Sequence, residues 1–163
     1  MDKATHFTHI NEKGQAHMVD VSEKLNTERL AIAYGEIHMN REVAEGIKNQ
    51  VIKKGEVLQV ARIAGIMAAK KTVDLIPLCH SIALTKCEVE FSWKSDQILT
   101  VQCLTKTVGP TGVEMEALTG ANVALLTVYD MCKALDRQMK ITNIRLLEKA
   151  GGKSGHFVLA DEK

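Results

Sequence analysis

The chain has 163 residues and a mass of 17.9 kDa, with 45% hydrophobic and 25% charged residues. Its 21 basic and 20 acidic side chains leave a formal charge of +1. That length suits one domain with a core needing no staples, and so balanced a charge exerts no global pull toward nucleic acid or membrane. A secreted mini-protein, a membrane protein, a fibre and a disordered chain are excluded. The opening MDKATHFTHINEKG has no apolar core, so no secretory signal is expected. No apolar run approaches the roughly 18 residues of a membrane helix. Cys79, Cys87, Cys103 and Cys132 are scattered with no CxxC pair, which reads as reduced thiols of a cytoplasmic protein.

Residues 1–25 are polar and weakly patterned, and an arm that is mobile in part is expected there. The run RLAIAYGEIHM, Arg29 to Met39, is β-compatible and predicts a first strand. Val43, Ile47 and Val51 then recur at four-residue spacing, one face of a short helix from Glu42 to Val51. A second helix is predicted from Glu56 to Lys71, with Val57, Val60, Ala61, Ala64, Met67 and Ala68 on its apolar side. After Pro77 the period changes to two. Cys87, Val89, Phe91 and Trp93 alternate with polar residues, the tetrad KSDQ turns the chain, and Leu99, Val101, Cys103 and Thr105 return as a hairpin. The longest helix is predicted from Val113 to Gln138 on the stripe Leu118, Ala121, Leu125, Val128, Cys132, Leu135. A last strand, Ile141 to Glu148, precedes the loop AGGKSG.

Strand, helix pair, hairpin, helix, strand is the order of the split β-α-β motif. The expected fold is α+β, a ferredoxin-like antiparallel sheet with helices packed on one face. Its uncovered face would carry Lys86, Glu88, Glu90 and Gln102. A half-covered sheet invites subunit contacts, so an oligomer is expected.

Several residues carry chemistry. The glycines around Lys153 present backbone N–H groups and a cation suited to phosphate, although such a loop is equally a plain surface turn. It is no P-loop: Leu147 stands where that motif needs glycine, and no helix follows. Leu78-Cys79-His80 pairs a thiol with an imidazole. In extended chain the two point apart, so a buried Cys79 and an outward His80 are expected, with His80 free to contact a ligand or move a proton. Glu114, Met115 and Glu116 open the long helix, where carboxylates favour the dipole. Asp130 and Lys133 are neighbours on a helix face. Apolar residues flank them, and partial burial would move both toward the catalytic pKa range. Lys54 stands in a Lys-Lys-Gly junction and Arg62 in an apolar helix. Together these groups suit a compact polyanion, such as a nucleoside triphosphate, in a site that also transfers protons. No acidic cluster dictates a metal site.

HMVDVS (His17 to Ser22), ARIAGIMAAKKT (Ala61 to Thr72), LIPLCH (Leu75 to His80), TGVEMEALTGA (Thr111 to Ala121), VYDMCKALD (Val128 to Asp136) and GGKSG (Gly151 to Gly155) follow in order. In these segments the chain resembles the MoaC family, the cyclic pyranopterin monophosphate synthases of molybdenum-cofactor biosynthesis. The resemblance covers nearly everything beyond the N-terminal arm and implies one MoaC-like domain over residues 1–163. It also implies a homo-oligomer, a hexamer built as a trimer of dimers, with active sites at subunit interfaces. The implied activity is a lyase reaction that converts 3′,8-cyclo-7,8-dihydro-GTP into cyclic pyranopterin monophosphate with release of pyrophosphate. A radical-SAM enzyme would supply that small-molecule substrate; nucleic acid and membrane are not partners. No cofactor is required by the sequence, and Mg²⁺ accompanying the triphosphate is the one addition the chemistry leaves open.

Carried over by this resemblance, Asp130 is the catalytic aspartate and Lys54 and Lys133 are proton-handling lysines. Leu78, Cys79, His80, Glu114, Met115 and Glu116 match substrate-binding stretches, and Lys153 matches a lysine of the Gly-rich loop. Arg62 joins the substrate-binding set as a further cation. The sequence departs from the family pattern at Pro110, where Lys is expected, at Ser81, where Pro is expected, and at His156, where an acid is expected. Pro110 removes one phosphate contact and leaves Asp130, Lys54 and Lys133 untouched. A non-catalytic ferredoxin-like module that senses nucleotide or binds RNA is the competing reading. Six aromatic residues and a near-neutral charge argue against RNA, and a regulator has no use for Asp130, Lys133 and Lys54 together.

Overall fold

The computed structural model describes residues 8–51 and 56–160, so Lys54 and residues 1–7 of the expected arm lie outside the described residues. The elements are β1 (Thr27–His38), α1 (Arg41–Lys48), α2 (Val57–Lys70), the single turn α3 (Thr72–Leu75), β2 (Lys86–Ser95), β3 (Ile98–Gly109), α4 (Glu114–Cys132), β4 (Lys140–Ala150) and β5 (Phe157–Val158). The strands lie in one antiparallel sheet of order β2-β3-β1-β4-β5. Without the short β5 this is the strand order of the split β-α-β fold, as expected. The two-residue β5 and the turn α3 were not anticipated.

Alternation decides which sheet face is covered. Ala31, Ala33 and Ile37 of β1 and Leu99, Val101, Cys103 and Thr105 of β3 are fully buried on one side. Against them α4 sets Ala117, Ala121, Ala124, Leu125 and Val128, all likewise buried. The helices meet through small residues. A Cβ on Gly65 would stand 2.9 Å from the Gly120 carbonyl oxygen, and one on Gly120 would stand 2.6 Å from Cys103 Sγ. The two backbones therefore approach as closely as their missing side chains allow. At the start of α1, Asn40 accepts a hydrogen bond from the Val43 amide at 2.9 Å, a standard N-cap.

The long helix is shorter than predicted. It ends at Cys132, and residues 133–138 form a turn instead. Asp136 causes this: its carboxylate accepts from the Asn40 amide at 2.8 Å and the Gln138 amide at 2.9 Å. Such side-chain bonds compete with helix continuation. Leu135, the last member of the predicted stripe, is consequently exposed.

Lys86, Glu88, Glu90 and Gln102 are exposed on the uncovered sheet face, as expected. The unexpected feature of that face is Glu36, only 2% exposed. Its carboxylate accepts from Tyr34 Oη and Lys94 Nζ, both at 2.7 Å, and lies 3.2 Å from His38 Nε2. A bulge of β4 at Asn143, with φ 55°, contributes a further hydrogen bond. Burial alone would raise the pKa of Glu36, but the bonds from Lys94, Tyr34 and Asn143 outweigh it and lower it from 4.5 to about 2. A depressed carboxylate pKa stabilises the fold above the unfolded value, and that stability is lost as pH falls from 4.5 toward 2. Urea midpoints of the wild type are therefore expected to fall more steeply across this interval than those of Glu36→Gln. Parallel profiles would remove the assignment.

Candidate active site

Two adjoining hollows surround the start of α4. The first, of about 270 Å³, is bounded by Leu78, Cys79, His80, Glu114, Met115 and Glu116, with Val19, Val21 and Lys24 of the N-terminal segment closing it. Its walls are pinned by the sheet. Thr105 Oγ1 donates to the Val113 carbonyl at 3.0 Å, which fixes the start of α4, and Thr107 Oγ1 donates to the Ala83 carbonyl at 2.6 Å, which fixes the loop after His80. His80 Nε2 donates to the Val19 carbonyl at 2.7 Å. Because a carbonyl only accepts, this bond sets the Nε2–H tautomer and leaves Nδ1 as the proton-accepting nitrogen. Both Cys79 and His80 are half-buried and border the same hollow, which corrects the expectation of a buried thiol and an outward imidazole. Burial raises the Cys79 pKa, and the Glu116 charge adds to the rise. Glu116, 4% exposed, is itself raised, first by burial and then by the Glu114 charge, against one backbone hydrogen bond that lowers it.

The second hollow, of about 710 Å³, is cationic. Lys24, Arg29, Lys149 and Lys153 border it, against Glu23 and Glu114. Arg29 extends from the start of β1 to donate to the carbonyls of Gly109 at 3.2 Å and Pro110 at 3.1 Å. The Gly-rich loop folds onto that same guanidinium. Gly152 has φ 74°, and a Cβ there would overlap Arg29. Only glycine permits this approach. Thr111, Gly112, Glu114 and Lys24 border both hollows, so the two share a wall.

Asp130 and Lys133 lie elsewhere. Lys133 Nζ donates to Asp130 Oδ1 at 2.7 Å at the far end of α4, where Lys133 faces a third hollow with Asn40 and Arg137. The sixteen residues from Glu114 to Asp130 correspond to about 24 Å of helix. The pair is 62% and 52% exposed on this chain, which corrects the expectation that neighbouring apolar residues would partly bury it. Arg62 borders none of the three hollows: its guanidinium donates to the Val89 carbonyl at 2.8 Å and to Gln59 at 2.6 Å, over the Phe91 ring. It ties α2 to β2. Among the described residues, no group of three or more His, Cys, Asp or Glu is placed to hold a metal ion. No helix among them is long and apolar enough to cross a membrane.

Residues 18–152 match the model of the MoaC family. The chain is 54% identical over 152 residues to a cyclic pyranopterin monophosphate synthase of Clostridium acetobutylicum, covering 93% of this chain and 94% of that protein. It is 54% identical over 154 residues to the synthase of Bacillus subtilis, covering 93% and 91%, and 51% identical over 155 residues to that of Desulfitobacterium hafniense, covering 95% of each. The chain belongs to the MoaC family. The MoaC match covers most of the lining of both hollows and the Asp130–Lys133 pair, and it stops at Gly152, one residue short of Lys153.

Sequence reasoning singled out Lys153 but missed Lys24, Arg29 and Lys149. Lys149 carried a signal, since it stands directly before the Gly-rich segment. Arg29 and Lys24 carried none; for Arg29, strand pairing alone brings the β1 start beside the turn at Gly109 and Pro110. That turn is where Pro110 replaces the expected cation, and Arg29 supplies one against its carbonyl.

Proposed function

We propose that this chain is the lyase that converts 3′,8-cyclo-7,8-dihydro-GTP into cyclic pyranopterin monophosphate and pyrophosphate, on the path to molybdopterin. One observation carries the reading beyond family membership. A hollow with four cations adjoins a smaller hollow with a thiol, an imidazole and a buried carboxylate, and the two share a wall. The triphosphate fits the larger, cationic hollow, where ammonium and guanidinium groups absorb the charge developing on departing pyrophosphate. A sugar oxygen attacks the α-phosphorus and the bond to the pyrophosphate oxygen breaks. The guanine-derived rings fit the smaller hollow. Opening the imidazole ring and closing the pyran are proton transfers, for which His80 Nδ1 and Glu116 are placed. Mg²⁺ accompanies the triphosphate as part of the substrate and neutralises its charge.

Asp130, Lys133 and Lys54 complete this catalytic reading as its proton-transfer groups. Because Asp130 lies about 24 Å of helix from Glu114, the Asp130–Lys133 pair joins a substrate hollow of a second copy. Two surfaces support association: the half-covered sheet, and the outer side of the helical layer, where Ile63, Met67 and Leu126 are all more than half exposed. The whole chain, 1–163, acts as one cytoplasmic domain in a hexamer, a trimer of dimers, fed by a radical-SAM enzyme.

Incubation of the pure protein with enzymatically generated cyclic dihydro-GTP is expected to release pyrophosphate and to yield a fluorescent pterin after oxidation. No pyrophosphate release under those conditions would reject the reading. In Lys153→Ala, KM is expected to rise roughly tenfold with a smaller change in kcat, as for the loss of one charged phosphate contact. An unchanged KM would remove Lys153 from the phosphate site.

A further inference from the structure

An ion pair stands at the wall between the two hollows. Glu114 Oε1 lies 2.8 Å from Lys149 Nζ, and the two side chains are only about a quarter exposed, at 28% and 25%. The pose of Glu114 depends on its neighbour: a Cβ on Gly112 would overlap the Glu114 carboxylate, so the missing side chain lets that carboxylate fold back over the loop. Glu114 is thereby in contact with one cation of the larger hollow, Lys149, while Arg29 is engaged by two carbonyls. The carboxylate therefore stands at a lysine that the triphosphate would otherwise claim.

We propose that Glu114 is an internal placeholder: its carboxylate occupies Lys149, and a polyphosphate must displace it to bind. The inference rests on the phosphate assignment made above and adds a competition to it. Before binding, the Glu114 charge balances Lys149, so that lysine is not left uncompensated in the hollow. On binding, Lys149 exchanges one anionic oxygen for another, and Glu114 turns to the smaller hollow, which it also borders. An anion that reaches only one cation gains too little to displace the carboxylate. One that reaches Lys149 together with Lys153 and Lys24 gains enough, so the device selects for linked phosphates over a single phosphate.

Titration calorimetry with inorganic pyrophosphate and inorganic phosphate tests this on the full chain. Glu114→Gln is expected to bind pyrophosphate roughly three- to tenfold tighter than wild type, the range for releasing one partly exposed ion pair. Its preference for pyrophosphate over phosphate should narrow. Lys149→Gln should bind more weakly, and adding Glu114→Gln to it should bring no comparable gain, because the freed partner is gone. Gly112→Ala, which displaces the carboxylate while keeping its charge, should also tighten binding. Equal or weaker binding by Glu114→Gln overturns the placeholder. If pyrophosphate then still responds to Lys153→Ala, the phosphate assignment stands without it; if pyrophosphate binds no variant, both fall.

Discussion

Replacing Asp130 by Asn or Lys133 by Ala is expected to lower kcat by roughly 10²- to 10⁴-fold, the range for losing a positioned proton-transfer group. The fold should be unaffected. The two side chains bond to one another at 2.7 Å and are more than half exposed on the chain, and exposed ion pairs contribute about 0–1 kcal/mol. An inert, well-folded variant thus separates chemistry from stability in a way no core substitution can. The measurement is single-turnover pyrophosphate release, with circular dichroism and sedimentation on the same samples. Asn keeps the shape of Asp130 and its capacity to bond to Lys133, so its loss isolates the acid–base role. Wild-type turnover by either variant would reject the assignment. A mixture of inactive Asp130→Asn with a protein inactivated in the substrate hollow, such as His80→Ala, is expected to recover part of the activity once subunits exchange. Sites made from two copies regain one intact set of groups in such hybrids.

Gly120→Val is expected to destabilise the chain by about 3 kcal/mol, at the upper end of overpacking effects, lowering Tm by roughly 6–12 °C for a protein of this size. At an exposed helix position, exchanging Gly for Ala would stabilise by about 1 kcal/mol through backbone entropy. Here the sign reverses. The added Cβ would stand 2.6 Å from Cys103 Sγ and 3.2 Å from the Gly65 carbonyl oxygen. Cys103 is fully buried on the central part of β3 and has no solvent to turn toward. Relief must come from separating α4 from α2 or from the sheet. Cys103→Ala combined with Gly120→Ala should therefore cost less than the sum of the single changes, because removing the sulfur vacates the space the methyl group needs. Thermal melts and urea titrations at fixed protein concentration decide it. An unaltered midpoint for Gly120→Val would show that the helices do not cross as closely as described.

The segments that are legible in the sequence carry a strong local signal. The hairpin on either side of KSDQ and the body of the long helix are readable from spacing, and the strand at Arg29 to Met39 from its β-compatible residues. The misjudged helix end at Gln138 shows where that method stops. Leu135 continues the apolar stripe and nothing local forbids another turn, yet Asp136 bonds to the Asn40 amide, 96 residues away. Glu36 is a similar case. It occupies an outward position of β1, where alternation assigns it to solvent, but Tyr34, Lys94 and a bulge at Asn143 close over it.

For the site the division is the same. From sequence, motif order identified the loop at Leu78-Cys79-His80, the helix start at Glu114 to Glu116 and the Gly-rich segment, and the structure gathers all three around one end of α4. Sequence alone determined the α+β element order and which residue types are available for proton transfer and phosphate, because periodicity and side-chain chemistry are properties of neighbours along the chain. Only the tertiary structure decided that Arg29 and Lys149 belong with Lys153, that Arg62 serves the α2–β2 contact, and that Asp130 and Lys133 stand a helix length away from the hollows. Strand register and helix length set those separations, and neither is encoded in any one segment.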